Sequence, residues 1–299
     1  MLDLSGEGLT QESETSLHSF HIPEYFALDW VRKDLKSCLN LAIRQNLFAV
    51  LVHGSHATGE VIPFSDFDGL IILKSPKRPE SRKTFRRISK AIARTERLFY
   101  RHDPLQHHGW FILTERGLED WPQDYLPVEV LEHASCLLPG EGIDLSIKVR
   151  KHGHDYLTPF HRLCSSIQQR LDRIDYPDNL YRLKSLLSEF MLLPALYVQA
   201  RDGKGIFKKF SFDAARKDFP KEEWRIMDEV SRIREEWNYP VTGWRRFMLT
   251  RTHPLLRRLG IRWAPRIPEP LNGKLTPDFY ACMANLVRCM EEKLVHDPH

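Results

Sequence analysis

Apolar positions divide this chain into two regimes. In the first half, short apolar runs and helical stripes take turns. Leu28, Val31, Leu35, Leu39 and Ile43 recur every three or four positions and predict a helix. The unbroken run Phe48-Ala49-Val50-Leu51-Val52 predicts a buried strand leading into His53-Gly54-Ser55. A short helical turn is expected after Gly54-Ser55, ending near Gly59, with a second strand over Asp66–Leu73 and a turn at Ser75-Pro76-Lys77-Arg78-Pro79. Phe85, Ile88, Ile92 and Phe99 then mark an amphipathic helix whose opposite face carries Arg86, Arg87, Lys90, Arg94 and Arg97. His108–Leu113 predicts a third strand, and the segment from Pro127 to Gly140 a short closing element. From about 155 the period is helical throughout. One stripe runs Tyr156, Phe160, Leu163, Ile167, Leu171, Ile174. A second helix is predicted over 179–200 with a kink at Pro194, and others over 221–237 and 277–295. Residues 1–22 are polar and read as a tail, whereas 240–275, rich in Pro, Trp and Arg, reads as irregular. The expected organisation is therefore a tail (1–22), a domain of strands and helices (23–150) and an α-helical domain (151–299), which makes the fold class α+β.

The chemistry concentrates on the second predicted strand. Side chains alternate along a strand, so Asp66 and Asp68 share one face and Phe67 points to the other. Two carboxylates on one rigid edge form a hard, oxygen-rich site suited to Mg²⁺, or to Mn²⁺ in its place. A Gly-Ser turn beside them lets backbone N–H groups approach a phosphate closely. Two unpaired acids entering a core strand are costly unless a metal or a cationic partner answers them.

The apolar strand, Gly54-Ser55, a gap of ten residues and Asp66-Phe67-Asp68 together resemble the nucleotidyltransferase superfamily of polymerase β-like fold, to which kanamycin nucleotidyltransferase and small bacterial minimal nucleotidyltransferases belong. The resemblance implies a mixed sheet with flanking helices, followed by a helical bundle walling a cleft. It also implies in-line attack by an acceptor oxygen on the α-phosphorus of an NTP, ATP being the first candidate, with release of pyrophosphate. Asp66 and Asp68 would hold the metal, two ions in most such sites. Gly54 and Ser55 would hold the terminal phosphates. Relatives place a triphosphate-binding lysine after a helix like 192–200, and Lys208 and Lys209 stand there, with Lys204 behind them. The superfamily also sets a third carboxylate at the entry to a later strand. Here that place reads Asp103-Pro104-Leu105-Gln106-His107-His108-Gly109. His108 in the acid's position is the reading adopted. Asp103 reaching in from the loop, an absent third acid, and His107 as a general base are the alternatives.

Composition narrows the setting. The 299 residues hold 42% hydrophobic residues and carry a formal charge of +4, compatible with triphosphate or nucleic-acid contact and diagnostic of neither. There is no apolar run long enough for a membrane span and no signal-like start, and the five scattered cysteines suggest neither a disulfide framework nor a zinc site. A cytoplasmic location is the expectation. His152-Gly153-His154-Asp155 and Trp237, Trp244 and Trp263 read as structural, and the Arg246/His253 spacing is of a kind expected by chance among 44 basic residues and 14 histidines. Three acceptors fit the enzyme reading: an aminoglycoside-like small molecule, an RNA, or a protein side chain as in toxin–antitoxin systems. The alternative is a catalytically degenerate nucleotide- or nucleic-acid-binding module.

Overall fold

The computed structural model describes residues 14–75, 82–138 and 142–296. Its first half contains β1 (Thr15–Ile22), a π-helical turn at Val31–Leu35 continued by α1 (Lys36–Ile43), β2 (Leu47–His53), α2 (Gly54–Thr58), β3 (Asp68–Leu73), α3 (Arg82–His102), β4 (Phe111–Thr114), β5 (Ser135–Leu138) and β6 (Ile143–Arg150). Strands β4-β3-β2-β5 form a mixed sheet in that order, with β3 and β4 parallel and β2 antiparallel to both of its neighbours. One sheet face packs Val50, Val52, Phe67 and Ile71 against Leu35, Leu39, Ile92 and Phe99 of the flanking helices. The other packs Ala49, Leu51, Leu70 and Ile72 against Ile22, Trp121, Leu145 and Ile147. The uninterrupted apolar run of β2 is thus the signature of a strand covered on both sides.

The second half is helical: α4 (Leu157–Asp172), α5 (Leu180–Phe190), α6 (Leu193–Asp202), α7 (Lys208–Arg216), α8 (Lys221–Glu235), α9 (Gly243–Leu249), α10 (Pro254–Arg262), α11 (Glu269–Asn272) and α12 (Pro277–His296). Phe160, Ile167, Leu183, Leu187, Val230 and Met283 meet in its core. Phe64 and Leu105, from loops at the edge of the mixed sheet, belong to the same core and seat the acidic motif against these helices. No described helix is long and apolar enough to cross a membrane.

Several expectations are corrected. Residues 15–22 are not tail but strand β1, which pairs antiparallel with β6 from Thr15↔Arg150 to Ile22↔Ile143. Ser16 and His18 occupy its inward positions, so no apolar alternation advertises it. Strand β6 is absent from the expectations above, although Leu145, Ile147 and Val149 are buried at alternate positions. The predicted helix 179–200 is two helices broken at Met191–Leu192, and Pro194 lies in the first turn of α6, where its missing N–H costs nothing. Segment 240–275 is not irregular but contains α9, α10 and α11. Leu28, Phe85 and Ile174, assigned to apolar stripes, are exposed. Most of the turn expected at Ser75–Pro79 lies outside the described residues.

Candidate active site

The acid pair sits where β3 begins. Asp66 precedes the strand, Asp68 opens it, and the two carboxylates lie on one face. Phe67 between them turns to the other face, where its ring meets Trp30, Phe99 and Trp110 at centroid distances of 5.3, 4.6 and 5.6 Å. Gln106 fixes this stretch of backbone. Its buried side-chain amide accepts from the Phe67 N–H (2.9 Å) and donates to the carbonyls of Phe67 (2.9 Å) and His108 (3.0 Å). A side chain thus does there what a neighbouring strand would do.

Gly54 begins α2 directly opposite. Its φ of +64° is the left-handed conformation, and a Cβ at this position would lie 2.5 Å from Asp68 Oδ2. Glycine is required twice over, by backbone conformation and by the close approach of the carboxylate. Ser55 follows it, half-buried, in the same turn.

His108 stands beside both carboxylates. Its Nε2 lies 3.2 Å from Asp68 Oδ1 and 3.8 Å from Asp66 Oδ2, so one ring nitrogen faces both carboxylates. Burial alone would lower its pKa, but the hydrogen bond and charge of Asp68, with Asp66 behind it, lift it to about 9. Burial would likewise raise Asp68, yet His108, His53 and Lys208 hold it down at about 2. His107 Nδ1 stands 3.5 Å from Asp66 Oδ2 without a hydrogen-bond partner among the described residues, and burial lowers its pKa.

Asp103 does not join the pair directly. It is linked to it through Lys184 of α5, whose Nζ lies 2.7 Å from Asp66 Oδ1 and also contacts Asp103 Oδ2. Lys184 is only 1% exposed. Burial opposes its charge, but the two carboxylates overcome that and raise its pKa. The sequence reading missed this residue. Its signal is a lysine within the stripe Leu180, Leu183, Lys184, Leu187, where the helical period demands an apolar side chain.

The two candidate phosphate lysines part company. Lys208, at the start of α7, feels the charges of Asp68 and Asp66, while burial and the neighbouring Arg234 lower its pKa to about 8. Arg234 of α8 is a second cation near the pair that the sequence reading did not single out. Lys209 turns away to the surface, where it pairs with Glu60.

The donor set fits one hard cation shared with a substrate. Two adjacent carboxylates and a glycine-lined approach suit Mg²⁺, which takes one or two carboxylates together with phosphate oxygens and water. Among the described residues no three His, Cys, Asp or Glu side chains converge as a closed metal cage, so substrate and solvent must complete the shell.

Residues 31–133, which carry Gly54, Ser55, the two acids and His108, match the model of the nucleotidyltransferase domain. No curated protein matches the chain. Among solved structures, a spectinomycin adenyltransferase from Enterococcus faecialis, solved with ATP and spectinomycin, is similar at 14% identity. The match covers 78% of this chain and 99% of that one with a TM-score of 0.33, an overlay too loose to bear on activity. The motif at Gly54-Ser55 and Asp66-Phe67-Asp68, set on a mixed sheet, lies inside the segment that matches the nucleotidyltransferase domain.

Proposed function

We propose that this protein transfers a nucleoside monophosphate from an NTP, ATP first among the candidates, to an acceptor hydroxyl. The observation that carries the proposal is the convergence of Asp66 and Asp68 on one His108 nitrogen beside the close-packed Gly54 turn. The acceptor oxygen attacks the α-phosphorus, the bond to the bridging oxygen breaks, and pyrophosphate leaves. The acceptor's proton passes to His107, whose Nδ1 faces Asp66 without a hydrogen bond of its own. Asp66 and Asp68 would hold a divalent cation with the triphosphate, and such an ion would supply charge neutralisation at the reacting phosphate. Gly54 and Ser55 bound the phosphates, and Lys208 with Arg234 supplies fixed positive charge on the helical side. Lys184 is a positioning residue: it holds the Asp66 carboxylate in one orientation. His108 keeps the two carboxylates together when no substrate separates them.

The test is incubation of the protein with each α-labelled NTP, Mg²⁺ or Mn²⁺, and fractionated RNA, protein and small-molecule pools. Label enters one pool, and Asp66→Asn or Asp68→Asn lowers the rate by about 10³-fold. NTP binding with no transfer to any pool would instead establish the degenerate binding module, which the histidine in place of the third acid favours.

A further inference from the structure

The surface beside the acid pair concentrates cations among very few acids. Some surface cations have partners, as Lys148 has Glu119, Arg150 Asp120, Arg216 Asp228 and Lys274 Glu236. On α3, by contrast, Arg86, Arg87, Lys90, Arg94, Arg97 and Arg101 are exposed, and none has a carboxylate within 4.0 Å among the described residues. Glu96, the one acid of this helix, turns inward against Gly109. The stretch 240–268, which carries α9 and α10, holds seven arginines and no Asp, Glu or Lys.

These two tracts are joined. Arg246 of α9 donates to the carbonyl of Arg101 at the end of α3. Arg257 of α10 lies 3.6 Å from the centroid of the Tyr100 ring and donates to the carbonyl of Gln106, the residue whose side chain fixes Phe67 between the two acids. The cationic surface therefore runs from the catalytic edge outward along α3, a helix about 30 Å long at 1.5 Å per residue.

Aromatic rings stand in this surface. Trp244 (55% exposed) and Trp263 (47%) meet edge to face at 6.0 Å. Phe247 (57%) lies under the Arg251 guanidinium at 3.6 Å, and Arg245 sits 5.5 Å from the Trp244 ring centroid. Unpaired arginines answer backbone phosphates, and exposed aromatic and guanidinium planes stack on unpaired bases. A bilayer would ask for a continuous apolar face; the exposed side of α3 offers only Phe85 among its cations, and the exposed Leu255, Leu256 and Leu259 of α10 make vesicles a necessary parallel probe.

We infer that this tract binds single-stranded RNA and presents its terminal hydroxyl to the site as the acceptor. The inference rests on the nucleotidyl-transfer reading and deepens it by naming the acceptor class. The experiment has two arms on the full chain. Fluorescence anisotropy with a labelled, unstructured RNA 20-mer measures binding against salt, with single-stranded DNA of the same sequence and phosphatidylserine vesicles as parallel probes. α-labelled ATP with the same RNA measures transfer.

Binding should weaken steeply with salt. Arg86→Gln/Arg94→Gln/Arg97→Gln should lower the slope of log K against log salt by about 2, at roughly 0.7 per lost phosphate contact. Trp244→Ala/Trp263→Ala should weaken binding about tenfold or more. Thermal melting of both variants confirms that they fold. No RNA binding at 50 mM salt, equal binding by the arginine variant, DNA bound as tightly as RNA, or preferential capture by the vesicles each overturns the inference. Label entering only small molecules overturns the inference while the transfer reading stands. RNA binding with no transfer from any NTP to any pool removes the transfer reading, and the acceptor role with it.

Discussion

Lys184→Met is the most demanding perturbation, because it removes a buried cation from between two carboxylates. At 2.7 Å the attraction of Lys184 to Asp66 alone is about 6 kcal/mol at an effective dielectric of 20. Removing the ammonium also removes its own desolvation penalty, which is several kcal/mol. Asp66 is left with a side chain only 10% exposed and Asp103 with one 26% exposed. The net cost should fall at the level of a broken buried pair, about 3–5 kcal/mol at pH 7.5, read from urea unfolding. A pH series fixes the cause. Burial already raises the Asp103 pKa with Lys184 in place, and losing the cation raises it further. A carboxyl whose folded pKa exceeds its unfolded value binds protons preferentially when folded. The destabilisation is therefore full above the folded pKa and shrinks as pH falls through it. Asp103→Asn added to the variant should recover about 1 kcal/mol or more, since one unpaired charge is then gone. A Lys184→Met cost below about 1 kcal/mol, or one that does not shrink as the pH is lowered, would refute the bridging role.

Two further outcomes test the scaffold of the site. Gln106→Ala strands the buried N–H and C=O of Phe67 and should cost about 2–4 kcal/mol in chemical unfolding, and Gln106→Glu should fail to restore it because a carboxylate cannot donate to the Phe67 carbonyl; full stability in either variant would refute the role given to this amide. Gly54→Ala combines a left-handed φ with a Cβ 2.5 Å from Asp68 Oδ2 and should cost about 1–3 kcal/mol and most of the transfer rate, whereas an unchanged melting temperature would show that the turn relaxes freely.

How much of this was legible in the sequence depends on whether the signal was local. The motif is local: Gly54-Ser55, the apolar run of β2 and the alternation through Asp66-Phe67-Asp68 follow from backbone geometry, and the structure brings those residues together. His108 was singled out only through the resemblance, which sets a side chain before a later strand; strand β4 itself begins at Phe111. Lys184, Arg234 and the turning away of Lys209 were not, since each depends on how the helices dock against the sheet edge, which no short-range pattern encodes. Strand β1 was missed because its inward Ser16 and His18 lack the apolar alternation that normally identifies a half-buried strand. The helices of 240–275 were missed because α9 and α10 expose Trp244, Phe247 and Leu255, so their stripes do not segregate apolar from polar positions.

The β1–β6 ribbon has a consequence for the order in which the molecule assembles. Ile22 finds its partner only at Ile143, and Thr15 only at Arg150. During synthesis β1 must wait, unpaired, until the entire mixed sheet has left the ribosome. Such distant pairing carries a large loop-closure cost, so it forms late and slowly unless the intervening sheet has already folded. Removal of the first 22 residues should therefore leave collapse of β2–β5 with α1 and α3 at its normal rate. It should delete the last folding phase and leave β6 without its ladder partner. The strand closest to the start of the chain is, in time, among the last parts of its sheet domain to arrive.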